Sequence, residues 1–287
     1  MTGPSCDTTD PAAARRRRTL SAATCIVLKV GTNVLLDREG ALDMAVLAEL
    51  AASVARCRHG GREIVLVCSG AIGAGAHGLG LDGSHQRAAC AAAGQSLITA
   101  RVHDALGRHA VAAAQLLVTS EDFLDADRTA GLRDTLRHLL QAGIVPLLNE
   151  NDAVSLHAAA DAPRAFHDND QLAALLTGLL SAQLLVLLTD VDGLYTHHPS
   201  HPDAVLIAEL NALTAWHMAH AGPAAGRGRG GMRSKLAAVE SALTDPAAYP
   251  GLAAIIANGR RPGVFDRILA GEPVGTLIGG GAAEDNR

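Results

Sequence analysis

Short apolar runs alternate with helix-length segments along almost the whole chain, and this alternation restricts the fold more than any other feature. The runs lie at 24–30, 62–68, 110–118, 143–149, 182–189, 252–258 and 275–278. The segments between them predict helices over Leu42–Cys57, Gln86–Leu106, Arg128–Gln141, Asp170–Leu180 and Met232–Leu243. Strands that are apolar on both faces and are separated by helices are typical of a parallel sheet that is covered on both sides. We therefore predict an α/β fold, a three-layer αβα sandwich with a mostly parallel central sheet.

The first 23 residues differ from the rest of the chain. They are rich in Thr, Ala and Pro and carry the basic run Arg15–Arg18. No apolar segment of the kind found in export signals follows this run. We predict a disordered basic tail over 1–23 and a single domain over 24–287, because no internal linker interrupts the alternation.

The composition excludes several classes of function. Hydrophobic residues make up 48% and charged residues 18%, which indicates a soluble globular protein. Aromatic residues are only 2% and the net charge is −5, so a nucleic-acid partner is not expected. No apolar run reaches the ~20 residues of a membrane span. Five cysteines without a CxxC pair favour a reducing, cytoplasmic location.

The stretch "IVPLLNENDAVSL" begins as a buried strand and ends in the polar run Asn149, Glu150, Asn151 and Asp152. A solvated turn would explain Asn and Asp residues at this place. In an α/β sheet, however, ligands bind at the carboxyl ends of the strands. The four polar residues are therefore candidates for a binding site.

Two further strands end in residues that suit an anion. The first places Lys29 before Gly31 and Thr32, and the second ends in Ser69 and Gly70. A lysine in a buried strand is costly unless it reaches an anion, although an edge strand would leave it in solvent. Glycine lets backbone N–H groups approach a phosphate, but glycine-rich turns also serve close packing. The sequence after Cys68 matches neither a P-loop nor a GxSxG elbow.

Later segments of the chain also place polar residues at strand ends and helix starts. "HDNDQLAALL" places Asp168–Asp170 at a helix start, where capping explains one of the three. Thr189 and Asp190 end another strand, and "GRGRGGMRSKL" carries Lys235 into a helix. The simpler interpretation of Thr189 and Asp190 is a turn, and that of the glycine-rich segment is a flexible linker. Together, two lysines and glycine-rich backbone suit a triphosphate, while amides and carboxylates suit an amino acid, so we predict an ATP-dependent kinase without a P-loop.

The order of these motifs resembles that of glutamate 5-kinases in the amino-acid kinase family. The matching segments are "KVGTNVL", "VCSGAIGAG", "AAGQSLI", "GIVPLLNENDAV", "DNDQLAAL", "LLTDVDGLYT", "GGMRSKL" and "VGTLI", which span about residues 24 to 279. The resemblance implies transfer of the γ-phosphate of ATP to the side-chain carboxylate of L-glutamate, with Mg²⁺ bridging the phosphates. The product would be the acyl phosphate of the first steps of proline synthesis. The family usually carries a C-terminal PUA domain, and we expect this chain to comprise the catalytic domain without it.

The resemblance also implies roles for individual residues. Lys29 and Lys235 would neutralise the transferring phosphoryl group, with Asp170 holding both. Ser69, Asp152 and Asn169 would bind the amino acid, with Asp152 accepting its ammonium. The residues expected to line the nucleotide and phosphate site are Gly31, Gly70, Thr189, Asp190, Gly230, Gly231 and Met232, and no protein metal ligand is expected. A homo-oligomer (a dimer or a tetramer) and a transient contact with the downstream reductase are implied as well.

Several positions depart from the family pattern. Arg229 stands where Thr is expected and either contacts a phosphate or lies in solvent. His167 replaces a Gly, Gly131 replaces an Asn, and "YTHHPSHP" lacks an expected Asp. We interpret His197, His198 and His201 as polar loop residues rather than metal ligands. Two alternatives therefore stay open: a kinase for a glutamate-like acid of a specialised pathway, and a non-catalytic sensor of amino acid and nucleotide.

Overall fold

Eight strands form one sheet in the computed structural model, which describes residues 11–155, 164–221 and 231–280. The strands are β1 Cys25–Val30, β2 Glu63–Cys68, β3 Ala113–Val118, β4 Val145–Glu150, β5 Leu184–Thr189, β6 Glu209–Leu210, β7 Ala253–Asn258 and β8 Thr276–Gly279. The helices are α1 Pro11–Ala22, α2 Thr32–Leu35, α3 Met44–His59, α4 Ala71–Leu79, α5 Arg87–Gly107, α6 Glu121–Leu124, α7 Ala126–Gln141, α8 Asp152–Ser155, α9 Asn169–Leu180, α10 Ala215–His220, α11 Met232–Thr244 and α12 Val264–Leu269. All the predicted strands and helices occur, with bounds that differ by a few residues.

The sheet has the strand order β3-β4-β2-β1-β5-β7-β8-β6. Among the described pairs only β7 and β8 run antiparallel. Strand β1 lies in the middle, paired in parallel with β2 and β5, so that Val30 stands beside Cys68 on one side and Leu188 on the other. The predicted α/β fold with a mostly parallel sheet is confirmed, and the alternative that placed Lys29 on an edge strand is wrong.

Two hydrophobic cores lie on opposite faces of the sheet, because side chains alternate along each strand. One core contains Ile26 and Leu28 of β1 and packs against α3, α5 and α12. The other contains Val27 of β1 and packs against α7, α9 and α11. The helices thus form the two outer layers of a three-layer sandwich. None of the described helices combines the length and apolar character that crossing a membrane requires.

Residues 11–22 form helix α1, which corrects the prediction of a disordered tail over 1–23. Leu20 is fully buried, and Arg16 is 3% exposed. The Arg16 guanidinium donates hydrogen bonds to the backbone carbonyls of Glu272, Ala208 and Val274. Helix α1 therefore docks through one buried leucine and through hydrogen bonds from Arg16 to backbone carbonyls. Neither contact produces a periodic apolar pattern in the sequence, so the sequence did not predict the helix. Residues 1–10 lie outside the described residues.

Helix α4 was predicted only as a glycine-rich turn, because glycine has low helix propensity. The structure shows that its glycines allow α4 to cross α5 at backbone distance. A Cβ on Gly75 would lie 1.8 Å from the carbonyl oxygen of Cys90, and one on Gly94 would lie 1.8 Å from that of Ala71. Gly75 therefore serves helix packing, which fixes the start of α4 beside the middle of α5.

Candidate active site

The carboxyl ends of β1, β2, β4 and β5 open into one large cavity of about 1200 Å³. Pockets for a single small ligand usually occupy ~300–1000 Å³, so this cavity has room for two substrates. It lies where parallel strands of an α/β sheet normally present their ligands. Every predicted site residue that the structure describes lines the cavity: Lys29, Gly31, Ser69, Gly70, Asp152, Asn169, Asp170, Thr189, Asp190, Gly231, Met232 and Lys235. Gly230 and Arg229 lie outside the described residues.

A buried carboxylate joins two lysines at the centre of the site. Asp170 Oδ1 lies 2.7 Å from Lys29 Nζ, and its Oδ2 accepts a hydrogen bond from Lys235 Nζ at 3.1 Å. The three side chains are 1–7% exposed. Burial by itself raises the pKa of Asp170, but the two lysines outweigh burial and hold that pKa below its ordinary value. The group therefore carries one net positive charge, directed at the cavity.

Glycine brings backbone close to these charges at two strand ends. A Cβ on Gly31 would lie 3.0 Å from the carbonyl oxygen of Leu188 and 3.9 Å from Lys29 Nζ. Gly70 precedes α4 with φ of +103°, a conformation that other residues rarely adopt. A side chain at Gly31 would therefore press on the neighbouring strand next to Lys29.

Three amide side chains, from β4, α9 and α5, hydrogen-bond to one another beside the cavity. Asn169 Nδ2 donates to Asn149 Oδ1 at 2.7 Å and to Ser69 Oγ at 3.0 Å. Asn149, which is 1% exposed, donates in turn to Gln95 Oε1 of α5 at 2.7 Å. Buried amides are usually hydrogen-bonded, and these contacts satisfy both polar atoms of Asn149, whereas the buried Asn169 Oδ1 accepts no hydrogen bond from the described residues. Three elements, β2, β4 and α9, are thus held together at the cavity wall.

Asp168 is the N-cap of α9, and it also holds α11. Its Oδ1 accepts the backbone N–H groups of Asp170 and Gln171 at 2.9 and 3.0 Å. Its Oδ2 accepts the hydroxyl of Ser234, the residue before Lys235. This contact places the helix that carries Asp170 against the helix that carries Lys235. The predicted capping role is confirmed, and the link between the helices was not foreseen.

The strand ends of β4 and β5 complete the wall. Asp152 begins the short helix α8 and is half-buried, while Glu150 Oε1 accepts the hydroxyl of Ser155 at 2.8 Å. Thr189 donates to Asp190 at 3.2 Å, and Asn33 Nδ2 donates to Asp190 Oδ2 at 2.8 Å. Asp152 and the Thr189–Asp190 pair therefore face one cavity from two different strands.

Several residues that line the cavity were missed by the sequence reasoning. Arg87, the first residue of α5, is half-buried, and no described residue forms a hydrogen bond or an ion pair with it. Asp168 also lines the cavity, although it belonged to a predicted helix start and to none of the predicted roles, whereas Glu150 was already a candidate for the binding site. A single arginine at a helix start has no distinctive pattern, so only the tertiary structure brings Arg87 to the site.

The histidine-rich loop lies partly at the cavity, which the sequence could not decide. His197 and His198 line it and are exposed. The His197 ring stacks on His201 with centroids 4.9 Å apart. Within the described ranges, no group of three or more His, Cys, Asp or Glu side chains is arranged to hold a metal ion.

Two of the departures from the family pattern do not line the cavity. Gly131 is exposed on α7, and a Cβ there would meet nothing within 4 Å. His167 is exposed, and its backbone N–H donates to Gln171 Oε1 at 2.8 Å. Neither change therefore alters the lining of the cavity.

Comparisons with known proteins agree with this geometry. Residues 24–248 match the Amino acid kinase family. The chain is 39% identical over 270 residues to a glutamate 5-kinase of Pelobacter propionicus, covering 92% of this chain and 69% of that protein. It is 41% identical over 268 residues to a glutamate 5-kinase of Thioalkalivibrio sulfidiphilus, covering 91% and 69%.

Solved structures share the fold at lower identity. An isopentenyl phosphate kinase superposes with a TM-score of 0.60 at 20% identity, covering 88% of this chain and all of that one. An N-acetylglutamate synthase from Neisseria gonorrhoeae gives a TM-score of 0.62 at 20% identity, covering 97% and 66%. The match over most of the chain and the identity to long stretches of the relatives lead to one conclusion: this chain belongs to the amino acid kinase family.

Proposed function

We propose that this protein is a glutamate 5-kinase, which transfers the γ-phosphoryl group of ATP to the side-chain carboxylate of L-glutamate. The product, L-glutamyl 5-phosphate, is the acyl phosphate of the first step of proline biosynthesis. The observation that carries the proposal is the buried Lys29–Asp170–Lys235 group at the floor of a cavity large enough for two substrates. Relatives of 38–41% identity named glutamate 5-kinase support the choice of substrate.

The lysines suit phosphoryl transfer because that reaction concentrates negative charge. A carboxylate oxygen of glutamate attacks the γ-phosphorus, the bond from this phosphorus to the β–γ bridging oxygen breaks, and ADP leaves with the bonding electrons. Lys29 and Lys235 would neutralise the oxygens of the transferring group, while Asp170 keeps the two cations in place. Preorganised charges of this kind act mainly in the transition state.

The retained cation pair argues for catalysis rather than sensing. A sensor of amino acid and nucleotide needs affinity for both ligands but no group at the point of transfer. Burying two lysines and an aspartate is costly, and a replacement by apolar residues is often more stable. The group is therefore best explained by a chemical step.

The amino acid would lie against β2, β4 and α9. Asp152 would accept the substrate ammonium, and Ser69 and Asn169 would contact its polar end. An ammonium paired with a carboxylate keeps its charge throughout the reaction, so Asp152 would act in binding rather than in the transfer step.

The nucleotide would occupy the side of β5 and α11. Gly31, Gly70 and Gly231 would present backbone to its phosphates, with Thr189, Asp190 and Met232 along the same wall. Mg²⁺, when bound, neutralises phosphate charge. Since the described residues offer no three-ligand cluster, it would be held mainly by nucleotide oxygens and water, as Mg²⁺ commonly is.

A location in the cytoplasm is part of the proposal. Cys25, Cys57, Cys68 and Cys90 are buried and unpaired, which suits a reducing compartment. Self-association and a contact with the downstream reductase stay predictions from the family resemblance.

The proposal is tested by trapping the acyl phosphate with hydroxylamine, across a panel of acids with ATP. We expect a hydroxamate with L-glutamate and little with N-acetylglutamate, because acetylation removes the cation and leaves Asp152 without the substrate ammonium. Turnover of another acid that exceeds that of glutamate would instead identify a kinase of a specialised pathway. Turnover of none of them would contradict a kinase.

A further inference from the structure

A directed chain of hydrogen bonds runs from the cavity wall into helix α5. Asn169 donates to Asn149, and Asn149 donates to Gln95, each at 2.7 Å. Gln95 Nε2 then donates to the hydroxyl oxygen of Thr99 at 3.3 Å, and that hydroxyl donates to the backbone carbonyl of Gln95 at 2.8 Å. We call these four side chains (Asn169, Asn149, Gln95 and Thr99) the amide ladder.

Thr99 sets the direction of the amide ladder. A threonine hydroxyl has one hydrogen, and here it is given to the carbonyl of Gln95, so Thr99 Oγ1 serves Gln95 as an acceptor. Gln95 must therefore turn its NH₂ group toward Thr99 and its oxygen toward Asn149. Reversing the Gln95 amide would place two NH₂ groups against each other, in a place where Gln95 is 7% exposed and Asn149 is 1% exposed.

The direction of the amide ladder decides what Ser69 can do. Because the NH₂ group of Asn169 faces Ser69, the Ser69 oxygen accepts a hydrogen bond at 3.0 Å. Its own hydrogen then remains for another acceptor, and no described side chain or backbone group takes it. Ser69 lines the cavity and is 8% exposed. A carboxylate oxygen of a ligand is a suitable acceptor for this hydrogen.

We propose that Gln95 and Thr99 are positioning residues: they fix the direction of the amide ladder so that Ser69 donates its hydrogen to a carboxylate oxygen of the amino-acid substrate. The proposal rests on the proposed function. Neither Gln95 nor Thr99 lines the cavity, so both act through Asn149 and Asn169. Neither Gln95 nor Thr99 was a predicted site residue, since both lie within a helix that is distant in sequence from the polar strand ends.

The test compares two threonine-to-valine substitutions. Thr99→Val removes the hydroxyl that directs the amide ladder while keeping the shape of the side chain. Thr177→Val is the matched control, because Thr177 of α9 also donates to the carbonyl four residues earlier, at 2.8 Å, but binds no ladder member. Thr99→Ser is a second control, because it keeps the hydroxyl that Thr99→Val removes. Steady-state kinetics with glutamate and with ATP, together with melting temperatures, are measured for each variant.

We expect Thr99→Val to lower kcat/KM for glutamate about tenfold, roughly the value of one hydrogen bond. The loss should appear in the KM for glutamate, with the KM for ATP unchanged. Thr177→Val and Thr99→Ser should stay within about twofold of wild type. In a Ser69→Ala background Thr99→Val should have no further effect, because the group that the ladder directs is gone.

Three results would contradict the positioning role of Gln95 and Thr99 or the proposed function on which it rests. Equal losses in Thr99→Val and Thr177→Val would overturn the positioning role, as would a Thr99→Val loss that adds fully to that of Ser69→Ala. If the wild-type protein phosphorylates glutamate and either of these two results is found, the positioning role of the amide ladder is refuted while the proposed function stands. A wild-type protein inactive with glutamate would refute the proposed function and, with it, the donor role of Ser69.

Discussion

Replacing Asp170 by Asn should destabilise the protein and abolish its activity, because it removes the carboxylate that two buried lysines share. Lys29 and Lys235 are 6% and 5% exposed, and they contact opposite oxygens of the same carboxylate. Two unit charges roughly 5 Å apart repel by about 3 kcal/mol at an effective dielectric constant of about 20. Removing one partner of a buried ion pair typically costs about 3–5 kcal/mol. For a chain of this size we expect Tm to fall by roughly 10 °C.

The assay combines thermal melting with hydroxamate formation, and two variants serve as comparisons. Asp266→Asn breaks a pair with Arg56 that is 35% and 59% exposed, so it should cost no more than about 1 kcal/mol. Lys235→Met leaves Lys29 and Asp170 as a neutral pair, so it should lower kcat by about 10²–10³ with a smaller loss of stability than Asp170→Asn. If Asp170→Asn melts no lower than Asp266→Asn, the charge argument is refuted.

The same carboxylate predicts the direction of an acid effect. The pKa of Asp170 is lower in the folded protein than its ordinary value. Its contribution to stability is therefore fully present above the unfolded-state pKa of about 3.9 and is lost as the pH falls through the folded-state pKa. Asp170→Asn should remove this part of the acid dependence, and urea titrations of both proteins between neutral and acidic pH would measure it.

Three further predictions follow from the site and the fold. Asp152→Asn should raise the KM for glutamate with little change in the KM for ATP, and an unchanged KM would exclude Asp152 as the partner of the ammonium. Arg87 faces the cavity and could pair with the α-carboxylate of glutamate, so Arg87→Ala should weaken the binding of glutamate more than that of 4-aminobutyrate, which lacks this carboxylate. Arg101→Ala, on the exposed side of α5, should weaken the binding of neither compound. Leu20→Ala should cost about 2–5 kcal/mol of stability, measured by urea unfolding, and a cost near zero would show that α1 does not dock in solution.

The sequence by itself determined the fold class and the location of the candidate site. Apolar runs such as that of β1, fully buried on both faces, can be satisfied only by a covered parallel sheet, and the polar residues that follow the runs must meet at its carboxyl edge. Lys29, Asp152 and Lys235 were identified in this way, since charged side chains next to buried segments need a physical reason.

Only the tertiary structure decided which side chains touch. The amide ladder joins Gln95 to Asn149 and Asn169, which lie 54 and 74 residues further along the chain, and no local pattern records such a contact. The glycine-rich turn after β2 suited either an anion site or close packing, and the structure shows that its Gly75 lets two helices cross, because the distance between backbones depends on the partner element. Helix α1 likewise docks through Arg16 and backbone carbonyls, groups that every segment of the chain possesses. Periodicity records burial within one element, whereas hydrogen-bond pairing between elements is fixed by the packing of the whole sheet and its helices.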